Sequence, residues 1–313
     1  MRNKKFLLIG LPLLAALALS SCSKEEVTSN LVMEEPAKVV TNDIQKWNVS
    51  IGAGSATDTR AISVGGNDGD MLYHNWEEND AVEVVKEGVI VGTLTAKLSE
   101  GNTAYAKLNG DMTGTYAVDD VVMLYYHKAK LDYTRQLGTI ANVSTNFSFM
   151  EASSSVKKID AENHVLTMSE ASFSAMQAYL DLTFTDSDNN LLDVHSLAIW
   201  AEGGKLLMTK AYDGTSVYAT ESDPLIIAPE TSSNHLFFAL RDENGAANNY
   251  HFVAYVGDND DQYTYEGSKN LEYGHFYQGT VVMTAMTPPV LTPNSGNLGK
   301  PDNYVNGGNG FTF

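Results

Sequence analysis

Apolar and polar residues alternate with a period of two along most of this chain. Trp47-Asn48-Val49-Ser50-Ile51 alternates cleanly, as do Ala178-Tyr179-Leu180-Asp181-Leu182-Thr183-Phe184 and Tyr250-His251-Phe252-Val253-Ala254-Tyr255-Val256. Such runs suit strands with one face in a core and the other in water. Shorter β-branched or aromatic runs lie at 82–85, 89–94, 103–108, 121–127, 139–149, 164–168, 195–200, 205–209, 216–220, 224–228, 235–240 and 275–284. Turn clusters separate them: Gly65-Gly66-Asn67-Asp68-Gly69, Asn109-Gly110, Asp213-Gly214, Asn244-Gly245 and Gly257-Asp258-Asn259-Asp260. No helical pattern follows residue 21. Many short strands at this spacing predict an all-β chain of antiparallel sandwiches. A boundary near 158–172, where the polar run Lys157-Lys158-Ile159-Asp160-Ala161-Glu162-Asn163 gives way to a new strand-rich block, divides it into sandwiches at 44–165 and 166–286. Residues 22–43 read as a linker. After Thr287-Pro288-Pro289, a Gly/Asn/Pro-rich tail spans 287–313.

The first 21 residues read differently. Arg2, Lys4 and Lys5 precede an apolar run at 6–19, and Ser20-Ser21 close it, which is the layout of a signal peptide. About 14 apolar residues are too few to span a bilayer. The next residue, Cys22, is the only cysteine. Leu19-Ser20-Ser21-Cys22 resembles a bacterial lipobox, whose thiol becomes a thioether to diacylglycerol, so Cys22 is the expected lipid attachment. Ser23-Lys24-Glu25-Glu26 resembles the Lys-acid-acid signal that sends lipoproteins of Bacteroides-like bacteria to the outer face of the outer membrane.

Composition narrows the chemistry. Twenty Lys+Arg against 39 Asp+Glu give a net charge of −19, and removing residues 1–21 takes it to −22. A polyanionic surface repels phosphate backbones, which argues against nucleic-acid partners. A single cysteine excludes a disulfide framework, a thiolate zinc site and a CxxC motif. The seven histidines form no HxH, HxxxH or HExxH pair. Asp186-Ser187-Asp188-Asn189-Asn190 begins like an EF-hand loop but has Leu191 where glycine is needed, and Asp258-Asn259-Asp260-Asp261 fails likewise. GxSxG and GxxxxGK[ST] are absent. No catalytic residue, metal site or cofactor is expected, and the chain does not read as an enzyme.

The order of parts resembles the fimbrillin-like lipoproteins of Bacteroides and relatives, subunits of type V pili. The residues that carry the likeness follow the lipobox in order. They are the strand at 47–51, the polar loop Asp58-Thr59-Arg60-Ala61-Ile62-Ser63, and the Trp-led strand Trp76-Glu77-Glu78-Asn79-Asp80-Ala81-Val82-Glu83-Val84. The blocks at 173–185, 197–199, 224–228 and 275–284 continue the pattern. Asn79-Asp80 departs from the family's usual Gly-Asp.

The resemblance implies two tandem transthyretin-like sandwiches and a structural role supporting adhesion. It also implies cutting between Arg60 and Ala61 by an arginine-specific protease. The first strand, with Trp47, Val49 and Ile51, would then leave, and its groove would receive a strand from another fimbrial subunit. The C-terminal tail offers a tether and a short alternation, with Phe311 and Phe313 as the candidate donor residues. Implied partners are other subunits, the outer membrane through lipid before processing, the protease, and a host or bacterial surface ligand. Two alternatives stay open: an uncleaved, lipid-anchored pilus anchor, and a surface glycan-binding lipoprotein.

Overall fold

The computed structural model describes residues 45–55, 75–99, 102–245 and 247–286. They form an all-β fold with one short helix. In chain order, the first strands are β1 (Lys46–Ser55), β2 (Ala81–Lys86), β3 (Val89–Ser99), β4 (Asn102–Thr113), β5 (Val121–Tyr126) and β6 (Leu131–Asp132). The helix α1 (Ile140–Asn146) is followed by β7 (Met150–Asp160), β8 (Val165–Met168) and β9 (Ala171–Ala175). The second half has β10 (Ala178–Thr185), β11 (Val194–Ala201), β12 (Leu207–Lys210), β13 (Ser216–Tyr218), β14 (Leu225–Ile227) and β15 (His235–Leu240). It ends with β16 (Asn248–Val256), β17 (Asp261–Lys269), β18 (Phe276–Val282) and β19 (Thr284–Ala285).

The first sheet runs β4-β3-β2-β5-β7-β8-β1-β9, and an added β4–β1 pairing closes it on itself. Its core runs from Trp47 to Phe173. The β2–β3 hairpin turns on two residues, Glu87 (φ 51°) and Gly88 (φ 76°). Two positive φ values give the turn whose twist matches the strands it joins.

In the second half, β15-β10-β18 faces β14-β11-β16-β17-β19 across a core running from Leu131 to Met283. The β10–β18 ladder is parallel, so the three-stranded sheet is mixed, while the five-stranded sheet is antiparallel throughout. At Met283 the chain leaves β18 and crosses to pair with β17 through β19.

Three expectations change. The run at 139–149 opens as α1, because Thr139 Oγ1 accepts from Asn142 N–H at 3.2 Å and Val143 and Phe147, four apart, share the buried face. Asn109-Gly110 lies inside β4 and turns nothing. A Cβ on Gly110 would sit 2.7 Å from the Thr93 carbonyl, so the glycine admits a close backbone approach. The division at 165/166 does not separate the cores. Leu166 and Phe173 pack in the first, while Leu131, Tyr133, Val143, Phe147 and Phe149 pack in the second.

Gln136 is the clasp of that exchange and is fully buried. Its Nε2 donates to Ala239 O at 2.8 Å and Tyr133 O at 3.0 Å, and its Oε1 accepts from Ala239 N–H at 2.7 Å. Its own carbonyl accepts from Ala228 N–H at 2.9 Å, just past β14. One residue therefore satisfies the edges of two facing sheets. Nearby, Glu243 accepts from Tyr218 Oη (2.7 Å), Arg241 Nε (3.1 Å) and Lys210 Nζ (3.2 Å). Burial alone would raise its carboxyl, but these donors outweigh burial and hold it below the ordinary range.

Replacing Gln136→Ala strands the Ala239 N–H and C=O in the core. The expected loss is about 2–4 kcal/mol, read as a lower urea midpoint at unchanged slope. Because the folded value of Glu243 is depressed, its stabilisation is present above the usual carboxylate range and lost as pH falls through it. Glu243→Gln should thus lose less stability than wild type between about pH 5 and pH 3 in acid titrations followed by circular dichroism.

Candidate functional site: the first strand

The strand β1 alternates Trp47, Val49, Ile51 and Ala53 inward, each at most 4% exposed, with Lys46, Asn48 and Ser50 outward. It pairs antiparallel with β4 over nine residues, Lys46 to Gly54. Its other edge pairs parallel with β8 over Asn48–Ser50 and with β9 from Ala53. Sequence reasoning foresaw the buried face. It did not foresee that β1 is paired on both edges and closes its sheet.

Side chains pin the strand's start. Trp47 Nε1 donates to Gly114 O at 2.9 Å, and its ring meets Tyr116 edge-on at 6.5 Å and His164 at 5.8 Å. Gly114 N–H donates to Gln45 O at 3.0 Å and Asn48 N–H to His164 O at 2.8 Å. Lys86 Nζ, 2.6 Å from Asp120, and the Ala117 N–H hold the Asp120 carboxyl below its ordinary value. Burial, with the nearby Asp120 charge, pushes the Tyr116 hydroxyl up to about 12. Further along, Tyr105 covers Gly52 so closely that a Cβ there would collide with its hydroxyl.

Of the other expected site residues, Cys22, Arg60, Ala61, Phe311 and Phe313 lie outside the described residues. The two remaining arginines of the segment after Cys22 are placed. Arg241 is tied to Glu243, donates to Met176 O at 3.0 Å and lies 5.0 Å over the Tyr273 ring. Arg135 is exposed at a bend with φ 64°, but its neighbour Gln136 anchors the backbone there.

Elsewhere the polar groups have structural work. Asp186 Oδ1 accepts from the Asp188 and Asn190 N–H groups at 2.8 Å each, closing its loop as a turn. Among the described residues no group of three His, Cys, Asp or Glu side chains could hold a metal ion. A cavity of about 180 Å³ between the halves is lined by Tyr125, Glu151, Met176, Lys210 and Arg241. Arg241 and Lys210 both face it already paired with Glu243.

No protein-family profile matches this sequence, and no curated protein does. Solved structures with a similar chain path include a candidate cell adhesion protein of Bacteroides uniformis ATCC 8492, 13% identical with a TM-score of 0.40, covering 76% of this chain and 97% of that one. A fimbrial protein of Bacteroides ovatus ATCC 8483 is 12% identical with a TM-score of 0.32, over 77% of this chain and 49% of that one. The fimbrial anchor protein Mfa2 of Porphyromonas gingivalis is 11% identical with a TM-score of 0.33, over 66% and 78%. Similarity at this level leaves the functional reading to this chain's own residues.

Ile51, with no exposed surface, tests how much β1 holds. Ile51→Ala should cost about 2–5 kcal/mol in chemical unfolding, against less than about 0.5 kcal/mol for outward Ser50→Ala.

Proposed function

We propose that this chain is a structural subunit of a cell-surface fimbria, exported as a lipoprotein on Cys22 and activated by removal of β1. The observation that carries the reading is β1 itself. It lies N-terminal to Arg60, closes its sheet from both edges, and buries three large side chains on one face. At about 1.5–3 kcal/mol per large apolar side chain, Trp47, Val49 and Ile51 contribute roughly 5–9 kcal/mol before ordering entropy. A subunit cut between Arg60 and Ala61 could release this strand. The vacated slot would then offer unpaired backbone groups on two edges beside an apolar floor, and an alternating strand of another subunit could refill it. The tail residues Phe311 and Phe313 are the proposed donor. Two sandwich domains, 44–165 and 166–286, are proposed, with residues 131–149 of the first lent to the core of the second and residues 166–173 of the second to the core of the first.

N-terminal sequencing of the chain in sheared surface filaments tests the reading. Ala61 as first residue is the expected result, and a blocked Cys22 in the filament would overturn cleavage in favour of a lipidated anchor. Arg60→Ala should leave residues 22–60 in place and abolish filaments. In limited digestion of the intact protein by an arginine-specific protease, the first cut is expected at Arg60, with Arg135 and Arg241 protected by their anchored backbones. Deleting 302–313 should leave cleavage intact and remove detergent-resistant ladders.

A further inference from the structure

Two sheet faces carry side chains that the export route does not use, and on the first of them Trp200 is only partly buried against the second core. On the five-stranded sheet, Leu197, Ile199 and Ala201 of β11 and Tyr250, Phe252 and Ala254 of β16 point inward. The alternate positions would ordinarily be polar, yet they hold the half-buried Trp200, His251, Val253 and Tyr255 and, on β14, the exposed Ile226. Register sets Trp200 opposite His251 and His251 opposite Glu266. The indole and imidazole stack with centroids 5.2 Å apart and planes within 4°. One row along, Asn249 Nδ2 donates to Glu202 Oε2 at 2.7 Å, which brings a second carboxylate beside the stack. In these five strands the only Lys or Arg is Lys269, whose ammonium lies 5.2 Å over the Tyr277 ring.

On the first sheet, Lys97 of β3 stands directly opposite Lys107 of β4, and both are exposed. Neither ammonium pairs with a carboxylate among the described residues. Like charges facing across a strand pair destabilise it. In a chain with 20 bases and 39 acids, a side-by-side lysine pair with no carboxylate partner among the described residues can meet its counter-charge on another molecule.

We propose that these faces dock on one another between copies of this chain, with Lys97 and Lys107 of one copy on the Trp200–His251 stack of the next, between Glu202 and Glu266. The match is two ammonium groups against two carboxylates and an aromatic face, where a lysine over indole adds a cation–π contact. The patches differ, so the contact is heterologous and can propagate instead of closing in pairs. The net charge of −19 repels copies that meet in other orientations, so this complementarity also sets which faces meet. The inference rests on the reading that the chain assembles with its own copies, but needs neither cleavage nor strand transfer.

A charge swap tests it, using the full chain in mild detergent and sedimentation velocity. Lys97→Glu with Lys107→Glu, and separately Glu202→Lys with Glu266→Lys, should each weaken self-association at least about tenfold. All four positions are exposed, and a thermal melt matching wild type confirms that each variant is folded. Mixing the two variants should restore association as alternating copies, since every junction again joins opposite charges. A wild type that stays monomeric, whatever else this face binds, overturns the proposal. So does either variant associating like wild type, or a mixture that stays apart. The swap is read on uncleaved protein, so failure of Arg60 processing would leave its outcome unchanged.

Discussion

A β-sheet must find a partner for every backbone donor and acceptor along its edges, and in the first half of this protein one strand meets that requirement twice. β1 faces β4 across nine residue pairs and β8 and β9 across its other edge. Its inward side chains pack in one core with those of the other strands of the sheet. Closure and core filling are therefore one event, and both hang on a segment at the start of the described chain. Among the described residues, this sheet has no open edge while β1 is present and two when it is not.

The second half is held by a different device. The connection between β5 and β7 leaves its own sheet and delivers Leu131, Tyr133, Val143, Phe147 and Phe149 to the other core. Gln136 uses its amide like an extra peptide group, so that one residue bonds β15 through its side chain and the residue after β14 through its backbone. Around it, Arg241, Lys210 and Tyr218 converge on Glu243. Such a network is costly to leave half-satisfied, which couples the connection's position to the packing around it.

Much of this was legible in residue order. Period-two alternation marked β1 and β16 because each has an inward row of large apolar side chains; β10 is a strand as expected but is covered on both faces, Asp181 included, so its expected wet face is not there. It misread 139–149, where Thr139, Val143 and Phe147 carry both β propensity and helical spacing, and only the place of Val143 in the second core decides between them. Asn109-Gly110 looked like a turn, since nothing local shows that the Thr93 carbonyl approaches Gly110. Cys22, Arg60 and the terminal phenylalanines stand on motif and resemblance, because they lie outside the described residues.

The sequence by itself determined that this is an all-β chain, that Trp47, Val49 and Ile51 share a buried face, and that its charge is strongly negative. Those properties are local or additive: alternation follows from the strand's two-residue repeat, and charge from counting. The tertiary structure alone decided that β1 is paired on both edges, that residues 131–149 serve the opposite core, and that Lys97 meets Lys107 while Trp200 meets His251. Each of these is a pairing between residues distant in the chain. Register across strands is set by how whole faces pack, and no stretch of sequence read alone contains its partner.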